Sequence, residues 1–343
     1  MAIKKTLIPI LGISAVSIIA LAILILFWPQ DNPFEKIKVE IPKGASLTEI
    51  ASTLKANNIL SNSRTFTMAV KTLGYETDIP AGTYQLRDAY NNYSIITQLV
   101  NGSPIMRRVT ILEGWSMKQI AIYLADKINI DDEEFLKLCY DPQFLNKLKL
   151  PYESLEGFLF PETYYFPEDE APDKVIEKLV TEYQSIMTDT HRGRSAELGF
   201  SELELVTLAS IIEGEAIYDV ERPIISAVYH NRLRLGMRLQ ADPTIQYIID
   251  DSPRRLLNKD LRIKSPYNTY LNYGLPPGPI NSPGKVSILA ALYPEENDYI
   301  YFVARGDGYH TFSRTQDEHN RAKKVFQKIR RENRRKNREK NKG

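Results

Sequence analysis

The 343-residue chain has one cysteine, Cys139, which excludes an intrachain disulfide framework and any multi-cysteine metal cluster. Its four histidines, His191, His230, His310 and His319, show no short metal-ligand spacing, so neither a metal nor any other cofactor is expected. No Gly-x-Ser-x-Gly elbow occurs, which argues against a serine hydrolase of that type. Gly278 and Gly284-Lys285 resemble a phosphate loop only superficially: the glycine spacing is wrong and Val286 stands where Ser or Thr should follow. At 43% hydrophobic and 25% charged, the composition excludes collagen, full disorder and a polytopic membrane protein. The length suggests roughly two domains.

An excess of charge of either sign is also missing, but the net +1 is an average over a segregated chain. Residues 1–28 carry +2 from Lys4 and Lys5, the body carries −11, and residues 320–343 carry +10. From Thr6 to Trp28 no residue is charged, and 23 residues make a helix of about 34 Å, enough for a ~30 Å hydrocarbon core. A cleaved signal peptide competes with this reading, but its apolar region would be only ~7 to 15 residues and would end in a small-x-small site. Here the run ends Leu-Phe-Trp-Pro, so a retained transmembrane helix over 6–28 is expected. Lys4 and Lys5 before it leave residues 1–5 in the cytoplasm and place the rest of the chain outside, by the positive-inside rule. An acidic extracytoplasmic body is not expected to bind nucleic acid. For the basic tail, 326–343, two readings stand: a solvated helix extension or disordered end, or attraction to anionic lipid head groups or wall polymers.

Sliding the sequence on itself at an offset of 70 exposes a duplication. Val39/Val109, Ile41/Ile111, Gly44/Gly114, Ser46/Ser116, Ile50/Ile120, Ala51/Ala121 and Leu54/Leu124 are identical. Each copy reads as a short strand, a Gly turn, a Ser N-cap and an amphipathic helix. Ala81–Leu86 and Glu156–Tyr165 look like the closing strands. The pattern is also similar to the LysM carbohydrate-binding module, so 29–105 is either a LysM-like subdomain or a scaffold without sugar-binding function. The second copy, 106–165, opens a larger region, 106–325. The fold class expected is α+β.

In that region Ser201-Glu-Leu-Glu204 has the form of a capping box, so a helix should start there, with Leu205, Leu208, Ala209 and Ile212 on its buried face. Glu213 sits at the border of that stripe. Glu215, two residues on, points to nearly the opposite side, so the two cannot flank one bond as a pair. Glu213 is either a solvated surface carboxylate or a general acid that Ile211, Ile212, Ala216 and Ile217 keep desolvated and protonated. A second helix is expected from about Asp219 to Arg234. Asp242-Pro should break regular structure and display Gln240, Asp242 and Thr244. The Pro-stiffened loops Ser265–Tyr270 and Tyr273–Gly284 either suit a sugar groove or are simply rigid turns.

The runs LEGFLFPETYYF, LASIIEGEA, ERPIISAVYHNRLRLGMRLQADPTIQY, SPYNTYLNYGLPPGPINSPG and YFVARGDGYHTFSRTQDEHN resemble the YceG-like family of endolytic murein transglycosylases, in order, from about residue 38 to 325. The resemblance implies a bacterial inner-membrane lyase that cuts nascent peptidoglycan strands internally and helps terminate their elongation, with penicillin-binding proteins as partners. It implies Glu213 as the catalytic acid. Where many relatives carry Lys and then Glu-Thr, this chain has Gly214 and then Glu215-Ala216, so any role for the side chain at 214 is in doubt. The implied chemistry protonates the glycosidic oxygen between N-acetylmuramic acid and N-acetylglucosamine. The muramyl 6-hydroxyl then attacks C1 to give a 1,6-anhydro end, with no second carboxylate needed. Asn231, Gln240, Asp242, Ser265, Tyr267, Asn268 and Asn281 are expected to line the substrate groove. The rival reading is a non-enzymatic wall-binding scaffold.

Overall fold

The computed structural model describes residues 17, 19–27, 29–30, 36–88, 90–102, 104–250 and 252–340. The expected anchor over 6–28 lies largely outside the described residues, as do residues 1–5. Residues 19–27 are helical, with Ile19, Leu21, Ile23, Leu24 and Phe27 exposed. Among the described residues, no helix is long and apolar enough to cross a membrane. The chain forms two compact units: one runs to Val109 and takes in Lys127–Ile130 and Tyr165–Glu170, and the other holds the remainder.

In the first unit, strand β1 (Lys36–Ile41) pairs antiparallel with β2 (Gly82–Arg87), Lys36 opposite Arg87 and Ile41 opposite Gly82. Between them lie helices α1 (Leu47–Ala56) and α2 (Ser63–Leu73), and α3 (Asn92–Asn101) follows. Ser46 starts α1 with a reciprocal box: its hydroxyl accepts from Glu49 N–H, and the Glu49 carboxylate accepts from Ser46 N–H at 2.7 Å. Asn62 caps α2, and Gly74 ends it in left-handed backbone, φ 75°, where a Cβ would be strained. The apolar positions Ile50, Ala51 and Leu54 of α1 meet Phe66, Ala69 and Val70 of α2, and Tyr84 and Leu86 of β2 close the core. Ile25 and Leu26 pack against this core as well.

The second copy repeats the geometry at the offset of 70. Strand β3 (Met106–Thr110), Gly114 at φ 77° and helix α4 (Met117–Ile128) match β1, Gly44 at φ 73° and α1. Ser116 and Gln119 exchange the same capping bonds. The copies then diverge: two short helices, α5 (Asp132–Leu138) and α6 (Pro142–Lys147), precede the closing strand β4 (Thr163–Pro167), which pairs with β3. The expected strand over Glu156–Tyr165 thus begins only at Thr163. Leu155–Pro161 is a buried turn, because Gly157 adopts φ 86° with Pro279 against its α-carbon, a conformation that cannot continue a ladder.

Helices α7 (Pro172–Ile186) and α8 (Asp189–Glu197) lead to α9 (Glu202–Glu215), whose start carries the expected Ser201/Glu204 box. Every residue from Leu205 to Ile212 is buried, so α9 is enclosed on all sides and not amphipathic as the sequence suggested. It packs against α8, α10 (Arg222–Arg234), α11 (Asp242–Tyr247) and α12 (Lys285–Leu292). The buried hydroxyls of Thr207 and Ser210 donate to Leu203 O and Thr207 O, which makes them tolerable inside. A 3-10 turn, Asp219–Glu221, precedes α10, within the expected second helix. Asp242-Pro does not interrupt the structure but starts α11, with Pro243 in the first turn where its missing N–H leaves no bond unmade. Thr244 is buried there, donating to Ala241 O, so it is not displayed as expected. The hairpin β5 (Tyr301–Ala304) and β6 (His310–Ser313) pairs Tyr301 with Ser313, and α13 (Gln316–Lys340) packs against both strands. The basic run therefore continues as helix to Lys340.

Ser201→Ala removes the α9 cap and should cost about 1 kcal/mol, whereas Leu208→Ala in its enclosed middle should cost about 2 to 5 kcal/mol, read by urea denaturation. Equal losses would contradict the enclosed position of α9.

Candidate active site

Glu213 lies in the last turn of α9, and the Tyr218–Glu221 turn brings Arg222, the first residue of α10, back to it. Arg222 Nη2 lies 2.9 Å from Glu213 Oε1, with the two side chains 5% and 6% exposed. The guanidinium is aimed by its other bonds: Nε donates to Asp219 Oδ1 at 2.9 Å, and Nη1 donates to Ser287 Oγ on α12. Burial opposes its charge, and the Glu213 carboxylate together with Asp219 outweighs that, so Arg222 holds its proton above the ordinary arginine value. Glu213 Oε2 accepts from Gly284 N–H at 3.0 Å.

Gly284 is delivered by the Pro-rich segment, whose residues 278–284 are buried. Ile280 N–H donates to Ser210 Oγ and Asn281 Nδ2 to Ser210 O, tying the segment along α9. Ser282 exchanges bonds with the second repeat's turn, donating to Trp115 O at 2.8 Å and accepting from Gly114 N–H at 2.9 Å. That turn places Glu113, half exposed, with Oε2 3.9 Å from the same Arg222 Nη2. Partial burial, and then the negative charge of Glu213, push the Glu113 carboxyl above its usual range against the pull of Arg222.

The surroundings differ from the apolar flank expected of Glu213. Ile211 and Ile212 are buried but Ile217 is 69% exposed, and the groups at the carboxylate oxygens are a guanidinium and an amide N–H. Glu215 has separate partners: it accepts from Tyr229 hydroxyl at 2.8 Å and is pushed up to about 7, by burial first and by the Asp242 charge as well.

The groove candidates scatter among roles. Asn281 lies beside the site, since a Cβ on Gly214 would come within 3.8 Å of its Nδ2. Asp242 is exposed at the start of α11 and accepts from Tyr270 hydroxyl. Gln240 is exposed at φ 50°, its N–H donating to Thr269 O. Ser265 Oγ accepts from Tyr267 N–H, and the Tyr267 ring packs 5.0 Å from that of Tyr247. Asn268 is fully enclosed, donating to Leu261 O and Ile263 O and accepting from Tyr270 N–H, so it holds its own loop together. Asn231 likewise donates to Asn297 O and Tyr299 O, tethering α10 to the segment before β5. Among the described residues no group of three or more His, Cys, Asp or Glu is placed to hold a metal ion.

Sequence reasoning missed Glu113, Arg222 and Asp219. Glu113 carried a signal: at the turn of the repeat the first copy has Lys43 and the second has Glu113, a change of charge that a shared scaffold does not require. It also missed Glu156, a buried carboxylate at the N-terminus of α4, which accepts from Met117 N–H at 2.9 Å. Burial pushes Glu156 up to about 7 against the hydrogen bonds from Met117, Gly157 and Tyr247.

The profile of the YceG-like family matches residues 39–325. An endolytic murein transglycosylase of Bacillus subtilis (strain 168) is 35% identical over 315 residues, covering 86% of this chain and 87% of that protein. One of Streptococcus pneumoniae (strain ATCC BAA-255 / R6) is 28% identical over 325 residues, covering 84% of this chain and 58% of that protein. The crystal structure of a yceG-like protein from Listeria monocytogenes superposes with a TM-score of 0.59 at 35% identity, covering 84% of this chain and 98% of that one.

Glu156 supplies a pH test. A carboxyl near 7 when folded and near 4.5 when unfolded binds its proton more tightly in the folded chain, so its contribution is complete below about pH 4.5 and lost as pH rises through about 7. The wild-type melting temperature minus that of Glu156→Gln should therefore fall between pH 4.5 and 7 and level off above. A difference that rises over that range would mean that Glu156 is held as a carboxylate.

Proposed function

The chain belongs to the YceG-like family, and from that membership and the buried Glu213–Arg222 pair we propose that it is an endolytic murein transglycosylase. The substrate is the glycan strand of peptidoglycan, and the bond broken joins N-acetylmuramic acid C1 to the 4-oxygen of N-acetylglucosamine. The observation that carries the chemistry is the setting of Glu213: a single carboxyl with both oxygens held, one by Arg222 and one by Gly284 N–H. In the protonated form Glu213 gives its proton to the glycosidic oxygen as the C1–O bond breaks. Arg222 and the Gly284 amide then stabilise the carboxylate that remains, without moving. The same carboxylate takes the proton of the muramyl 6-hydroxyl as O6 bonds to C1, closing the 1,6-anhydro ring. The nucleophile comes from the substrate, so water takes no part in the bond change.

The reading extends to the rest of the chain. Residues 6–28 serve as one membrane anchor with the N-terminus in the cytoplasm, supported by their uncharged length and by Lys4 and Lys5. The first unit serves as a LysM-like grip on glycan, supported by its Gly44 turn and Ser46-capped helix beside a strand pair. Peptidoglycan synthases of the penicillin-binding type are the partners that an enzyme cutting nascent strands would meet. The relatives' names favour this enzyme over a non-catalytic wall scaffold.

The full chain in detergent, incubated with purified glycan strands, should release 1,6-anhydro-muramyl ends by mass spectrometry. Reducing ends would make it a hydrolase, and intact strands a binder. Glu213→Gln should lower turnover on the order of 10² to 10⁴-fold in a chain that still folds and binds glycan, at a stability cost of about 3 to 5 kcal/mol for the unpaired Arg222, and substantial residual turnover would remove Glu213 from the role of general acid.

A further inference from the structure

The second repeat differs from the first by one charged side chain that its scaffold does not need. The turns at Gly44 and Gly114 share left-handed backbone, φ 73° and 77°, yet Lys43 precedes the first and Glu113 the second. The second turn is stitched to the buried segment that reaches Glu213, through Ser282. Glu113 is thereby set against the two groups that hold Glu213. Its Oε2 faces Arg222 Nη2, and its Oε1 lies against the α-carbon of Gly284, so close that a Cβ there would overlap it. Glycine at 284 lets this carboxyl and this N–H share one place, and a Cβ there would displace the Glu113 side chain.

Charge is unbalanced at this point. Glu213 from α9, Asp219 from the 3-10 turn and Glu113 surround the single guanidinium of α10, and Glu162, just before β4, adds a further negative charge. Carboxylates gathered around too few cations repel one another, and burial together with that repulsion pushes the Glu113 carboxyl up. Arg222 sits 2.9 Å from Glu213 and 3.9 Å from Glu113, so Glu213 has the closer hold on the cation, and Glu113 is the carboxyl displaced upward. Glu113 is also the more open of the two, at 47% exposure against 6%.

We propose that Glu113 is a positioning residue for the reaction, holding the proton that Glu213 delivers to the glycosidic oxygen. This rests on the transglycosylase reading above. The Glu113 O–H bond breaks as an O–H bond forms on Glu213. That bond breaks as the leaving 4-oxygen gains the proton and separates from C1. The 6-hydroxyl proton passes to Glu213 as O6 bonds to C1, and then returns to Glu113. Proton and charge balance over the cycle with no co-reactant.

The test follows kcat and KM of the full chain on glycan strands against pH, for wild type, Glu113→Gln and Glu113→Asp. Glu113→Gln should lower kcat by about 10- to 100-fold near neutrality with KM within about twofold. Its alkaline limb should move to lower pH, because the proton delivered by Glu213 has lost its store and one negative charge fewer competes for Arg222. Glu113→Asp should fall between the two. An unchanged kcat, or a fall in kcat with the alkaline limb unmoved, overturns the inference and marks Glu113 as structural. Should Glu113→Gln not fold by circular dichroism, Glu113→Asp decides: a displaced limb supports the role and an unmoved limb overturns it. A Glu113→Gln chain that matches wild type in releasing anhydro ends removes only this inference, whereas a wild-type chain that releases none removes the transglycosylase reading itself.

Discussion

The buried guanidinium of Arg222 is the constraint on which the second unit's arrangement depends. Taking a cation and a carboxylate out of water costs several kcal/mol per ion, and the mutual attraction offsets this only when the remaining hydrogen-bonding groups are also matched. Here they are matched from four directions: Glu213 on α9, Asp219 on the turn before α10, Ser287 on α12, and the Gly284 amide on the second oxygen of Glu213. Removing one member of such a pair leaves an uncompensated buried charge, typically a cost of about 3 to 5 kcal/mol. Function and stability therefore meet in one group, since the cation that orders three helices also faces the proposed acid.

The enclosed helix α9 follows from that requirement. A helix that presents a reacting carboxyl at its end must not pivot, and α9 is held by neighbours on every side from Leu205 to Ile212. Gly214 adds to this, because Pro243 at the start of α11 lies where its Cβ would be, 2.6 Å away. Glycine at this position thus coincides with close packing of α11 on the helix end. The proline-rich segment plays the matching part from the other side. Its backbone, stiffened by Pro279 and Pro283, delivers one N–H to Glu213 and leaves Leu271 to Tyr273 exposed further along.

Much of the local structure is legible in the sequence. The Ser46/Glu49 and Ser201/Glu204 boxes act within three residues, and the offset of 70 reproduces strand, turn and helix in both copies. Differences arise wherever a neighbour distant in sequence overrides the local pattern. The closing strand of the second copy starts late because Pro279 packs on Gly157. Asp242-Pro reads as a break because the dipeptide disfavours helix before it, whereas in the fold it stands at a helix start, where the proline is suited. The α9 stripe looks one-sided in sequence because Val206, Thr207, Ser210 and Ile211 include polar residues whose backbone-directed hydroxyls only the fold reveals.

By itself the sequence determined the repeats, the helix starts, the charge segregation and Glu213 at the end of its helix, because each is written in residues a few positions apart or at one fixed offset. Only the tertiary structure decided what faces that carboxyl. Arg222 is near in sequence but points to it only through the turn at Asp219, while Gly284 and Glu113 arrive from segments on either side of the chain. A hydrogen bond across 71 residues has no period, so the chemistry of the site, unlike its scaffold, emerges only when the chain has closed on itself.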